Sequence, residues 1–163
     1  MSVSSTNSQK SAHRLIDTLH ELQVIEGLRY GIGWDCERTP RGYFYDLVRR
    51  DFRGAILDIV EVKYRDMRWG QYPTIHLSEK KILACLGEAQ KLVCAFHFAV
   101  LCKSGLYMTR LNRQNTRDLP RKQGGRSDRG LAKDIEILVD IPLNYFSKIL
   151  TPQLTTDEPN SPL

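Results

Sequence analysis

The chain has 163 residues, 41% of them hydrophobic and 26% charged, with a net charge of +5. That length and balance suit one globular domain with a sizeable core and exclude a disordered chain. The excess of lysine and arginine favours an anionic partner such as nucleic acid, although many basic proteins bind none.

The four cysteines, Cys36, Cys85, Cys94 and Cys102, form no C-x-x-C pair and match no zinc-module spacing. They read as small apolar core residues of a protein kept in a reducing compartment. The longest apolar run, LVCAFHFAVLC at 92–102, is too short to cross a bilayer, and the opening MSVSSTNSQKSAHR has no apolar signal-peptide segment. The expected location is the cytoplasm, including that of a host cell if the chain is encoded by a phage or mobile element.

In chain order, residues 1–10 are serine-rich and read as a disordered tail. Leu15, Ile16, Leu19 and Leu22 recur at helical spacing and predict a helix over 11–22 that extends a turn at most. GLRYGIGWDCE (27–37), broken by glycines, predicts a bent strand. A turn at Arg38–Gly42 leads to a second strand, YFYDLVRR (43–50), and a turn at Asp51–Gly54 leads to a third, ILDIVEVKYR (56–65). After a break at 67–74, Ser78 is placed to cap a helix through about residue 92, with Glu79 in its first turn. Strands follow at 96–101, 107–111 and 134–141. Residues 112–130, NRQNTRDLPRKQGGRSDRG, are almost devoid of apolar residues and predict a mobile basic loop; 151–163 reads as a disordered C-terminal tail. The expected architecture is a mixed α/β domain over 11–150 with a central mixed sheet flanked by helices.

The third strand poses a physical question, because an apolar strand rarely carries buried charge unless it is paired or bound to a metal. Alternation puts Leu57, Ile59, Glu61, Lys63 and Arg65 on one face and Asp58, Val60, Val62 and Tyr64 on the other. With a four-residue loop before it, Asp46 of the second strand pairs with Ile59 and shares the Glu61 face; slipped by one, it faces Asp58 and the cluster is lost. In the first register an Asp, a Glu and a Lys converge. Two crowded carboxylates repel unless a hard cation such as Mg²⁺ relieves them, and such an ion polarises a phosphoryl oxygen and activates water.

Asp46, followed by Glu61-Val62-Lys63 in an α-β-β-β-α-β setting over roughly 11–111, resembles the PD-(D/E)xK nuclease superfamily, with its restriction-endonuclease-like and Holliday-junction-resolvase-like members. The resemblance implies a restriction-endonuclease-like αβββαβ core and Mg²⁺-dependent hydrolysis of DNA, with Mn²⁺ able to substitute. It implies that Asp46, Glu61 and the Val62 backbone carbonyl hold the metal and that Lys63 assists the nucleophile. The proline that often precedes the Asp is replaced here by Tyr45. An acidic residue from the first helix often joins the metal site; Glu21 is the first candidate and Asp17 the second. Ser78 and Lys81 are candidates for substrate contact, the latter because a cation in a helix's first turn is disfavoured unless an anion is near. DNA, branched or single-stranded forms included, is the implied partner, and a homodimer is left open.

Other readings stand beside these. Glu61 and Lys63 would serve equally as an ion pair on a solvated sheet face. The loop residues Arg113, Arg117, Arg121, Lys122, Arg126 and Arg129 suit either phosphate contact or plain solvation. His97, inside an apolar strand, reads as a hydrogen-bonded core histidine, and His76 borders the proposed site. Trp34 and Trp69 suit base stacking or packing. At the level of function, the alternatives are a catalytically inactive nuclease fold that binds nucleic acid through its basic loop, and a protein-interaction module.

Overall fold

The computed structural model describes residues 5–125 and 135–150. The expected C-terminal tail, Arg126 and Arg129 lie outside the described residues, as do residues 1–4.

The first helix, α1, is far longer than its apolar stripe suggested, running Ser5–Ile32 and including residues 5–10, which were expected to be disordered. Its second half earns burial: Val24, Ile25 and Leu28 are enclosed, whereas Leu15, Ile16, Leu19 and Leu22 remain exposed. The glycines read as a strand bend instead lie in or just after the helix. At Gly31 an added Cβ would stand 2.5 Å from both Ile149 Cγ2 and the Leu150 carbonyl, so glycine permits close packing of the Ile149–Leu150 segment against α1. Gly33, at φ 69°, turns the chain out of the helix.

The strands follow as β1 (Cys36–Arg38), β2 (Leu47–Arg50) and β3 (Ile56–Arg65). The predicted span of β3 is the observed one, while the aromatic half of the expected second strand, Tyr43–Asp46, stays outside the ladder. The supposed break is followed by a strand, β4 (Thr74–Ser78), then α2 (Glu79–Leu92), β5 (Ala95–Cys102) and β6 (Gly105–Leu111). The expected basic loop contains a short helix, α3 (Arg113–Thr116), and a strand, β7 (Arg121–Gly125). Asn112 and Asn115 form a reciprocal capping box that starts α3. β8 (Ile135–Pro142) matches its expected strand, and β9 (Ser147–Ile149) has too little pattern to be foreseen.

Two sheets result. The larger runs β1-β2-β3-β5-β6-β9, with β3 and β5 parallel and the other neighbours antiparallel; the smaller is β4-β8-β7, all antiparallel. The parallel β3–β5 step requires a crossover, and α2 supplies it. Alternation along the central strands fills two cores. Val60, Val62 and Ala99 pack on Val24, Ile25 and Leu28 of α1. Ile59, Phe96, Phe98 and Val100 pack on Ile82, Cys85 and Leu86 of α2 and on Ile75, Leu77, Val139 and Ile141 of the smaller sheet. The larger sheet is thus the middle layer, with α1 on one side and α2 beside the smaller sheet on the other. This is the mixed α/β, restriction-endonuclease-like arrangement expected from the sequence.

All four cysteines are unbridged, three of them buried. Burial pushes the Cys85 thiol up to about 12 and the Cys36 thiol up to about 11, so both behave as apolar groups. Among the described residues, no helix is long and apolar enough to cross a membrane.

Candidate active site

The β2–β3 ladder pairs Leu47 with Val60, Val48 with Ile59 and Arg49 with Asp58, then shifts at Arg50, which pairs with Ile56. This register is two residues away from the one that set Asp46 against Ile59. The hairpin loop is longer than assumed: Asp51 N donates to the Ala55 carbonyl, and the Asp51 side chain accepts from Arg53 N and Ala55 N. A bulge then adds the remaining offset. An even displacement preserves the alternation, so Asp46 stays with Glu61 rather than with Asp58.

β2 begins at Leu47, so among the described residues the edge of β3 beyond Val60 has no strand partner on that side. Asp46 occupies the gap. Its backbone N–H donates to the Val60 carbonyl at 2.9 Å, and its carboxylate Oδ2 accepts the Val62 N–H at 2.8 Å. A residue's N–H and C=O leave a strand on the same edge, so the Val62 carbonyl points to the Asp46 side as well.

Glu61 is completely enclosed, with no solvent exposure. Lys63 Nζ stands 2.6 Å from one carboxylate oxygen and Lys81 Nζ 3.1 Å from the other. Each oxygen of this fully buried carboxylate is thus paired with one ammonium. A charge buried this deeply is costly even when paired. Burial raises the Glu61 pKa above its ordinary value; Lys63 and Lys81 oppose the rise and the Asp46 charge adds to it. Burial pulls the Lys81 ammonium down, but attraction from Glu61 outweighs it and the net shift is upward. Lys81 also donates to the Phe44 carbonyl at 2.9 Å, and the Cys85 thiol donates to the same carbonyl. Phe44, outside any strand, therefore fixes the start of α2 against the site.

The arrangement fits a dication. Asp46, the Glu61 oxygens and the Val62 carbonyl form a hard-oxygen set, and the two ammoniums stand where positive charge is wanted. Two carboxylates are the whole acidic complement: no group of three or more His, Cys, Asp or Glu side chains able to hold a metal occurs among the described residues.

The remaining candidates separate. Glu21 belongs to α1, on the opposite side of the sheet from the Glu61 core, and its carboxylate accepts from Arg38 Nε at 2.5 Å. It does not join the site, and Asp17 is exposed on the same helix. Ser78 precedes α2 but makes no capping bond, which leaves its half-buried hydroxyl available beside Lys81. Arg113 donates to Gln90, nine residues beyond Lys81 and about 14 Å farther along α2, so it lies away from the carboxylates. Arg117 is exposed next to Asp118. Arg121 turns inward, pairing with Glu79 at 2.6 Å and donating to the Arg117, Leu119 and Thr116 carbonyls. Lys122 pairs with Asp140 at 2.9 Å. Trp69 stacks on Tyr107 with centroids 3.8 Å apart, and Trp34 packs edge-on against His97 and beneath Arg49; both are engaged with protein groups.

A second polar cluster lies on the α1 side of the sheet. Asp58 accepts from His97 Nε2 at 2.8 Å and from Arg49 Nε at 2.8 Å, so His97 is the hydrogen-bonded core histidine expected of it. Sequence reading assigned Lys81 only to substrate; its place as the second ammonium on Glu61 was signalled by a lysine in the first turn of a helix.

No curated protein matches the chain. A family model described as "Phage putative PDDEXK endonuclease" matches residues 17–149, which takes in both carboxylates, both lysines and every strand of the larger sheet. The match covers well over half of the sequence, and the chain belongs to this family of the PD-(D/E)xK superfamily.

Proposed function

We propose that the protein is a metal-dependent endonuclease that hydrolyses phosphodiester bonds of DNA in the cytoplasm of a phage's host. The observation that carries this reading is Glu61: fully buried, held between two ammoniums and close enough to Asp46 to feel its charge. A buried ion pair is weak evidence for stability, since packed apolar groups often do as well in its place, so a cluster of this kind points to function.

Asp46, Glu61 and the Val62 carbonyl would hold Mg²⁺, with Mn²⁺ a substitute. When bound, the ion supplies Lewis-acid stabilisation of charge on the phosphoryl group and a more acidic water. Lys63, about one-third exposed, reaches from Glu61 to solvent and is placed to orient the attacking water or to meet charge developing on phosphorus. Lys81, anchored on the Phe44 carbonyl, balances the second Glu61 oxygen and presents positive charge to the substrate backbone. Asp46 holds the Val62 peptide in place, so that one residue fixes both side-chain and main-chain oxygens. Nothing in the site selects among linear, branched and single-stranded DNA, and a homodimer is compatible with it. The alternative of an inactive fold that binds through a basic loop is less well supported, because Arg113 and Arg121 are tied to protein groups.

The test is cleavage of linear duplex, single-stranded and four-way-junction DNA in Mg²⁺ and in EDTA by wild type, Glu61→Gln and Lys63→Ala. Cutting by wild type alone, and only with metal, is the expected result. A wild type that leaves every form intact, or a Glu61→Gln variant that cuts as well, rejects the reading.

A further inference from the structure

Beyond Lys63, the open edge of β3 carries one more cation, Arg65, on the same face as Glu61. Its guanidinium donates from Nη1 to the Tyr64 carbonyl at 3.2 Å and from Nη2 to the His76 carbonyl at 3.3 Å. It therefore bridges the rim of the larger sheet to β4 of the smaller one. Among the described residues it has no carboxylate partner. An arginine has five N–H donors, so these two bonds leave three unassigned. Burial lowers the Arg65 pKa from its ordinary value, as it does for a cation drawn from water without a compensating anion.

Two contacts fix how β3 and the β4–α2 segment run beside each other. At one end Glu61 meets Lys81; at the other Arg65 meets His76. Lys63 and Ser78 lie between these ends along their respective segments. Arg65 follows Lys63 by two strand residues, a rise of about 6.6 Å, comparable with the step between successive phosphates of a nucleic-acid strand. β3 thus carries a cation at each of two consecutive steps on this face, and Glu61 balances the first of them.

The groups around the second step are few. The His76 imidazole, exposed on the face of β4 opposite the buried Ile75 and Leu77, feels the charges of Arg65, Lys122 and Asp140. Desolvation, Arg65 and Lys122 depress the His76 pKa, and Asp140 only partly offsets them. Lys122 is already paired with Asp140. The unbalanced charge is that of Arg65.

We propose that Arg65, braced on the His76 carbonyl, is a phosphodiester-binding subsite that grips the phosphate next to the one presented to Glu61 and Lys63, and so sets the position of the nucleic-acid strand along β3. A planar fork held by two carbonyls is pre-organised for such an anion. The subsite rests on the nuclease reading for its substrate, but it is a binding site and is tested by binding.

The experiment measures affinity in EDTA for short oligonucleotides in which single phosphates are replaced, one at a time, by neutral methylphosphonates. Wild type and Arg65→Gln are compared, and thermal melting verifies that the variant is folded. In wild type, one position adjacent to the most sensitive phosphate should cost about tenfold or more. In Arg65→Gln the same replacement should cost nothing further, while all other positions cost both proteins equally. The dependence of affinity on salt should also flatten by about 0.7–0.9 in log–log slope, the signature of one lost phosphate contact. If Arg65→Gln does not fold, Arg65→Lys serves: the coupling to that phosphate should weaken, and an unchanged coupling overturns the subsite. Binding in which no position is coupled to Arg65 overturns the subsite and leaves the nuclease reading standing. Binding with a coupled position but no cleavage by wild type does the reverse. No binding even at low salt removes both.

Discussion

The Asp46 carboxylate accepts the Val62 N–H at 2.8 Å, standing in for the strand partner that β3 lacks beyond Val60. One side chain thus finishes the sheet edge and supplies an acid to the site. The two roles separate by mutation. Asp46→Asn keeps an oxygen acceptor for Val62 but loses the charge, so it should fold like wild type and bind Mn²⁺ far more weakly. Asp46→Ala leaves the Val62 N–H without its partner and should cost a further 1 kcal/mol or so in urea unfolding. Equal Mn²⁺ affinity in wild type and Asp46→Asn would refute the carboxylate's role.

Glu61 predicts a conflict between stability and function. Its folded pKa is raised, so its contribution to stability is greatest below the unfolded carboxylate value of about 4.3 and is lost as pH rises through the folded value. At pH 7 the ionised group is therefore a net cost. Glu61→Gln should melt at the same temperature as wild type or higher at pH 7 while losing metal-dependent cutting. A clear fall in its melting temperature at pH 7 would show that the pairs with Lys63 and Lys81 outweigh desolvation.

Asp58 predicts the opposite pH behaviour. Burial would raise its pKa, but the hydrogen bonds from His97 and Arg49 prevail and the net shift is downward. Its contribution is present above the unfolded value of about 3.9 and is lost as pH falls through the depressed folded value. Asp58→Asn should lose stability near neutral pH and converge towards wild type in strong acid. Chemical denaturation from pH 7 to pH 3 reads this directly, and parallel curves for the two proteins would contradict it.

Gly31→Ala tests the close approach of α1 to the Ile149–Leu150 segment. The new methyl would collide with the Leu150 backbone as well as with Ile149, and backbone cannot swing aside as a flexible side chain can. The expected loss is about 1–3 kcal/mol despite alanine's better helix propensity. A stabilised variant would mean that this packing is not formed.

The sequence was legible where local pattern and tertiary demand coincide. ILDIVEVKYR reads as a strand because it is apolar on both faces, and both faces are covered, by α1 on one side and α2 on the other. Glu61 and Lys63 were legible as a pair through alternation alone. The glycines at 27–33 misled because close helix packing and strand bending call for the same residue. Tyr43–Asp46 has strand composition, yet the Phe44 carbonyl is spent on Lys81 and Cys85, and the Asp46 side chain takes the ladder's place at Val62. The hairpin register hinged on a bulge that composition does not encode. Glu21 was named from the resemblance, and its pairing with Arg38 depends on how far α1 extends beyond its exposed stripe. The basic segment 112–125 reads as solvated charge, but Arg121 serves as an internal brace whose acceptors are main-chain carbonyls.

The central claim is that Asp46 and Glu61 together hold a divalent cation. Crystals soaked in Mn²⁺ and measured for anomalous scattering test it most directly. The account predicts a peak between the Asp46 and Glu61 carboxylates and near the Val62 carbonyl, with Lys63 displaced from Glu61, and no peak in Asp46→Asn. Wild-type crystals that show no anomalous peak there at millimolar Mn²⁺, with both lysines still seated on Glu61, would contradict it.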